Sequence, residues 1–453
     1  MTKFLRFFKI LPLFLLFISC EKEEEAEGVI VIPPTKIQAK FEMSISSTDQ
    51  NVLLLDNKTT GTGDFTSEWD FGQGGSLVLD QPGIEEVRFD NDGTYSVRLI
   101  VTNAAGLTVD EKTVIVDNTA GGICPNGVCG STNSAILKDA ATTFLVGNIT
   151  RASRINAGGQ HTDLLKSTFS TITSEYEMKM DQMYPSEGNY NFSAADAIVN
   201  FGVNNGINVH GHALIWHNAT PDWVENYSGT DAEFEAMVKD YITTTVTRYK
   251  GKVASWDVVN EALEDGSGHP LRNSVFRQKM GDDYIKKCFQ WARDADPDCL
   301  LFYNDYNMAS SPTKRAAMFN IVDSLGDLID GVGAQMHISY NGPSASNIQA
   351  VADGTVSRGK ILHFSELDIR ANPNNDQTVL TGDRANAQKA KFKEVVKIYN
   401  SIPLDNKYAL TVWGVRDNES WLLNFWGHID WPLMYDDNYN KKPAYDGFLE
   451  GLE

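Results

Sequence analysis

Cysteine is scarce in this chain, with 5 among 453 residues. A dense disulfide framework is therefore excluded, and a hydrophobic core has to supply the stability. Basic residues are also in deficit: 39 Lys and Arg face 60 Asp and Glu, for a formal net charge of -21. That balance argues against nucleic acid as a partner and suits a neutral substrate in an aqueous setting. Long apolar runs are missing apart from one near the N-terminus, and no close repeat or low-complexity segment interrupts the chain. Aromatic residues, by contrast, are plentiful, with 9 Trp and 16 Tyr in a composition that is 42% hydrophobic. Rings beyond the needs of a core are candidates for a surface on which sugar faces stack. Length alone predicts two domains after any targeting segment.

The N-terminal run "MTKFLRFFKILPLFLLFISC" places Lys3, Arg6 and Lys9 before an apolar stretch too short to span a bilayer. This is the layout of a secretory signal. "FISC" resembles a bacterial lipobox, which implies lipidation of Cys20 as the first residue of the mature protein. "EKEEE" just after it resembles the acidic export tag of Bacteroidetes surface lipoproteins. The expectation is a monomeric outer-membrane lipoprotein facing the cell surface, held by that lipid alone, with residues 21–35 as an acidic tether. Cys124 and Cys129, in "CPNGVCG", are expected to close a small disulfide. A zinc half-site is disfavoured there, because no second Cys/His pair follows at metal spacing. Cys288 and Cys299 read as buried residues of a helix and the strand that follows it.

Residues 36–118 read as all-β, with short alternating runs such as "YSVRLIVTN" and "KTVIV" between Gly/Asn/Asp turns. "EWDFGQGG" and "NDGTYSVRLIVTNAAG" resemble PKD domains, which implies a small Ig-like sandwich acting as a spacer. A linker over 119–133 follows. From 134 to 453 the pattern changes to apolar runs alternating with helical segments: "FLVGNIT", "STFSTIT", "NVHGHAL", "VASWDVV", "CLLFYND", "GVGAQMH", "ILHFSELDI" and "YALTVWGV". Eight such units over about 320 residues predict a (β/α)8 TIM barrel in the α/β class.

Polar groups recur where these strands run out: Glu175, His212, Glu261, Asn304 with Asp305, His337, Glu366 with Asp368, and Trp413. Strand ends converge on one face of such a barrel, and active sites gather there. Buried charges need a reason, and seven strands ending this way point to chemistry. Two carboxylates meeting at the mouth are what glycoside hydrolysis requires: one protonated to assist the leaving oxygen, one ionised to attack the anomeric carbon. Glu261 and Glu366 are the candidates. Asn260 is placed to hold a substrate hydroxyl, His337 to bond Glu366, and Asp368, two residues along the same strand, to orient that His.

"HGHALIWHNATPDWV", "VASWDVVNEAL", "FYNDYN", "HFSELDI", "LTVWGVRDNESWL" and "NYNKKPAY" together resemble glycoside hydrolase family 10, the retaining endo-β-1,4-xylanases, in order across residues 134–453. The resemblance implies Glu261 as acid/base, Glu366 as nucleophile, xylan as substrate and no cofactor or metal. It also implies that Lys179, His212, Trp216, Asn260, Gln335, His337, Trp413 and Trp421 line the glycone side; Glu175 and Asn304 join the substrate-binding set from their strand-end positions. Two departures stand out. The family's "ENxxK" is here "EYEMK", with Tyr176 for the Asn, and its "WHSQ" is "WHNA", with Ala219 for the Gln. Both lost amides serve the sugar one place beyond the reacting one, so recognition there is expected to differ. "NFWGHIDWP" adds Trp426 and Trp431, read either as cleft ceiling or as packing. Rival readings are a β-1,4-glucanase or β-1,3/1,4-xylanase on the same barrel, a non-catalytic glycan-binding lipoprotein, and a metallohydrolase built on the His210/His212 pair.

Overall fold

A computed structural model of the chain describes residues 37–453 apart from 47, 82–83, 119–121 and 126. Cys20 and the acidic tether lie outside the described residues. The N-terminal unit is two four-stranded antiparallel sheets. One contains Phe41–Ile45, Val52–Asn57, Ile84–Phe89 and Gly75–Gln81. The other contains Thr66–Asp70, Gly93–Asn103, Gly106–Asp117 and Gly122–Pro125. Alternate residues of the strands, among them Val97, Leu99 and Val101, point inward to a shared core with Phe41, Leu53 and Phe89. The expected linker at 119–133 is corrected here. Its residues Gly122–Pro125 pair with Val114–Asp117 as one more edge strand, because backbone pairing on an open sheet edge needs no long apolar signature. Cys124 ends in a disulfide with Cys129.

The larger unit is a closed parallel barrel. Its strands are β1 Leu145–Thr150, β2 Thr171–Ser174, β3 Asn208–Gly211, β4 Ser255–Asn260, β5 Leu300–Asp305, β6 Gly331–Ala334, β7 Ile361–Arg370 and β8 Lys407–Val412. Each pairs with the next, and β8 closes on β1. The strands are buried on both faces, which is why they read as near-continuous apolar runs rather than alternating ones. Helices return the chain between them. Asp231–Tyr249 opens on a Thr230–Glu233 capping box, and Pro312–Leu325 opens on Ser311 with Pro in its first turn.

Polar side chains fill part of the barrel interior, and several bond one another. His210 Nδ1 bonds Ser255 Oγ at 2.6 Å, Ser255 bonds Tyr408 at 2.5 Å, and His363 Nε2 bonds Thr411 at 2.8 Å. Burial pushes the His363 imidazole well below its ordinary pKa, so it is a neutral packing group. This floor fixes the strand ends above it.

Candidate active site

Glu261 follows β4 directly and takes a left-handed backbone conformation, φ 55°. That conformation is uncommon for a residue with a side chain and persists only where neighbours enforce it. Here four backbone bonds do so. Glu261 N–H donates to the Asn304 carbonyl at 2.9 Å and Ala262 N–H to the Tyr303 hydroxyl at 3.0 Å. Arg272 donates its Nε to the Glu261 carbonyl at 2.9 Å and its backbone N–H to the Ala262 carbonyl at 2.7 Å. Tyr303 in turn donates to Asp305 at 2.8 Å, and Asp305 meets Lys314 at 3.0 Å. Burial raises the Asp305 carboxyl to about 6 against the pull of the Lys314 charge. The turn thus aims the Glu261 side chain into the mouth, where Trp216 Nε1 donates at 2.9 Å to one oxygen and Gln335 Nε2 at 2.9 Å to the other.

Glu366 lies within β7, not at its end, because this strand runs on to Arg370 past a register irregularity between Phe364 and Leu367. Its partners are Asn304 Nδ2 at 2.8 Å and His337 Nε2 at 3.2 Å. His337 donates from Nδ1 to Asp368 at 2.8 Å, and Trp421 Nε1 donates to the same Asp368 oxygen at 3.0 Å. Burial opposes charge on His337, but Asp368 and Glu366 outweigh it and raise the imidazole to about 10. Burial likewise works against the Glu366 carboxylate; the His337 bond, the His212 and His337 charges and the Asn304 amide prevail and hold it below its ordinary range. A cationic His337 between two carboxylates is the consistent reading.

One amide joins the two halves. Asn304 Nδ2 reaches Glu366 and also Asn260 Oδ1, at 3.0 Å, while Asn260 Nδ2 lies 3.3 Å from Glu261. Gly333 makes room for it, since a Cβ there would stand 2.4 Å from Asn304 Oδ1. The two carboxylates therefore belong to one site.

Around them, His212 bonds Asp257 at 2.8 Å, and His210 meets the same Asp257 oxygen at 3.0 Å. Burial would raise the Asp257 carboxyl, yet the two histidines hold it well below its ordinary value. The "HGH" pair is thus spent on a buried aspartate. No group of His, Cys, Asp or Glu among the described residues has the arrangement to hold a metal ion. Trp413 packs edge-on to His212 at 5.5 Å and Trp421 to His337 at 4.9 Å. Lys179 is buried and rests its Nζ 4.5 Å from the Trp216 ring and 4.8 Å from Tyr176; burial lowers its pKa despite the nearby carboxylates.

The structure brings Glu261, Glu366, Asn260, Asn304, Gln335, His337, Asp368, Trp216 and Trp421 into one bonded network at this mouth, and adds residues that the sequence reading passed over. Arg151, the first residue after β1, clamps Glu175 with bonds of 2.6 and 2.5 Å and covers the Tyr176 ring at 4.6 Å. Its position after a strand end was the available signal. Arg272, Tyr303 and Lys314 act behind Glu261; Tyr303 lies inside the "FYNDYN" stretch, and no motif marks the other two. Ala219 is buried, and Tyr176 is 45% exposed. Trp426 is 51% exposed and Trp431 half-buried.

The sequence model of glycosyl hydrolase family 10 matches residues 135–451, and that of the PKD domain matches residues 40–116. The chain is 39% identical over 314 residues to endo-beta-1,4-xylanase Xyn10C of Cellvibrio japonicus, covering 64% of this chain and 52% of that one. It thus spans about half the length of that relative. It is 36% identical over 318 residues to endo-1,4-beta-xylanase B of Paenibacillus barcinonensis, covering 67% of this chain and 94% of that protein. Among solved structures, one described as GH10 from Paenibacillus barcinonensis superposes with a TM-score of 0.66 at 33% identity, over 70% of this chain and 96% of that one.

Proposed function

The chain belongs to glycosyl hydrolase family 10, and from that premise we propose that it is a retaining endo-β-1,4-xylanase. The observation that carries the reading is the amide-linked pair of carboxylates with unlike surroundings. Glu366, kept ionised beside His337, attacks the anomeric carbon. Glu261 gives its proton to the glycosidic oxygen as the bond to carbon breaks and the aglycone departs. The ester formed on Glu366 is then hydrolysed by water, whose proton passes to Glu261 as its oxygen displaces the carboxylate. Two inversions leave the configuration unchanged. Asp368 and Trp421 hold His337 in place, and Trp216 and Gln335 aim Glu261.

On the glycone side, Lys179, His212, Asn260, Trp413 and Trp421 contact the reacting sugar. The Arg151–Glu175 clamp and Lys179 steady Tyr176 from two sides. Tyr176 offers its ring and hydroxyl to the next sugar in place of the family's two amides. The PKD unit serves as a spacer and Cys20 as a lipid attachment point, giving a monomer tethered at the outer cell surface. Labelling of cells with a radioactive fatty acid tests the anchor, and loss of label in Cys20→Ala is the expected result.

Proton NMR of the enzyme acting on xylohexaose tests the activity. Early β-anomer signal, absent with Glu366→Gln, is expected. Early α-anomer signal would overturn retention, and no cleavage of any β-xylan would overturn the activity.

A further inference from the structure

Apolar exposure on the barrel is mostly solitary: Val203, Val379 and Leu404 each stand alone in sequence, as scattered surface residues normally do. The loop after β8 differs. Phe425 is 64% exposed, Trp426 51% and Ile429 48%, three large side chains within five residues. They are continuous with the cleft wall. Ring centroids step from His337 to Trp421 at 4.9 Å, to Phe425 at 5.0 Å and to Trp426 at 5.1 Å.

This shelf is held rigidly. The Arg370 guanidinium lies 4.5 Å over the Trp426 ring and is bonded to Asp430 at 3.1 Å and His428 at 3.0 Å. Asp430 also accepts the backbone N–H groups of Ala371, Asn372 and Trp431, each at 2.8 Å. Gly427, at φ 68°, ends the short helix Trp421–Trp426 and turns the chain. The cation beside the shelf is thus already paired and lies over an aromatic face, which leaves nothing to recruit an anionic ligand. A net charge of -21 further disfavours a polyanion.

We propose that Phe425 and Trp426, which continue the cleft wall outward from Trp421, form a carbohydrate-binding shelf outside the cleft proper, on which neutral sugar rings of the polysaccharide stack by their apolar faces. The inference rests on the xylanase reading and concerns the polymer rather than the bond cleaved. Ordered aromatic rings lose little freedom on binding, so they suit a ligand whose every ring has an apolar face and no charge.

The test uses the full chain carrying Phe425→Ala and Trp426→Ala, with Leu404→Ala as a control for loss of exposed apolar surface. The expected result is a roughly fivefold fall in kcat/KM on polymeric xylan, the size of one aromatic contact, with xylohexaose cleavage unchanged. Equal loss on both substrates, or no loss on either, overturns the shelf. Retention on insoluble xylan, measured in a Glu366→Gln background, separates the shelf from the chemistry. Weaker retention upon removal of the two rings supports it even if the enzyme prefers another bond, and undiminished retention overturns it.

Discussion

The two walls of the cleft carry the same side chain in opposite settings. Glu366 faces a cation, with His337 raised to about 10 between it and Asp368. Glu261 has only neutral side-chain partners, the Trp216 indole and the Gln335 and Asn260 amides. The first wall is organised by charge, and its geometry is carried by side chains along β6–β7. The second is organised by the backbone, through four bonds around a left-handed turn. The difference teaches how one residue type receives two roles. A group that must stay ionised is given a counter-charge, whereas a group that must gain and lose a proton is aimed and left free of charged side-chain partners.

The sharpest break of this comparison is removal of each carboxylate. Glu366→Gln is expected to lower kcat on xylan by roughly 10^4–10^6-fold whatever the leaving group. Glu261→Ala is expected to lose about 10^2–10^4-fold on xylan but to cleave an aryl xyloside with an acidic phenol at its first step normally, and azide should yield a β-xylosyl azide. Product analysis on both substrates checks the pair. Equal losses across leaving groups in Glu261→Ala would remove the assigned contrast.

Charge organisation is tested by Asp368→Asn. With less negative charge around it, His337 gives up its proton at lower pH, but in acid it stays charged, so Glu366 keeps its cation and loses only a neighbouring anion. The acidic limb of kcat/KM should therefore move to lower pH, by up to about 1 unit for the loss of a neighbouring like charge, and pH–rate profiles read it directly. In the wild type, the raised His337 contributes stability that is whole below its ordinary 6.5 and is lost as pH rises through about 10. Thermal melts between pH 6 and pH 10 should show that fall, and Asp368→Asn should flatten it.

Backbone organisation is tested by Tyr303→Phe, which strands the Ala262 N–H and one Asp305 oxygen. A loss of about 1–3 kcal/mol of stability is expected, read by urea denaturation. Cleavage of xylan should fall more than cleavage of the activated aryl xyloside, because only the former needs Glu261 well aimed. The smallest effects belong to the indole N–H groups. Trp421→Phe and Trp216→Phe each remove one donor, worth about 1 kcal/mol or roughly fivefold in kcat/KM. The first should shift the pH profile, and the second only the leaving-group dependence.

Much of this was legible in the sequence because parallel strands announce themselves as apolar runs, and because a charged residue just past such a run has few structural excuses. Glu261, Glu366, His337 and Asp368 were found that way, down to the same-face spacing of the last pair. Other features left no such mark. Tyr303 sits inside a strand and looks like core; its function lies in one hydroxyl. Lys314 lies in the helix that follows β5, and only the fold of the intervening turn brings it back onto Asp305. The strand Gly122–Pro125 was hidden in a loop-like sequence because edge pairing uses backbone alone. The "NFWGHIDWP" segment was ambiguous for a different reason: exposure depends on what lies across from a ring, and sequence does not say.

The φ of 55° at Glu261 has an evolutionary side. A glycine there would sit at ease, so Glu261, the proposed general acid, occupies a place where selection for foldability alone would favour losing it. Lineages freed from the need to cut polysaccharide have a thermodynamic incentive to discard this residue first. Descendants that keep the barrel but not the chemistry should then be recognised by a small residue at this turn, and should melt at higher temperature than their active parent.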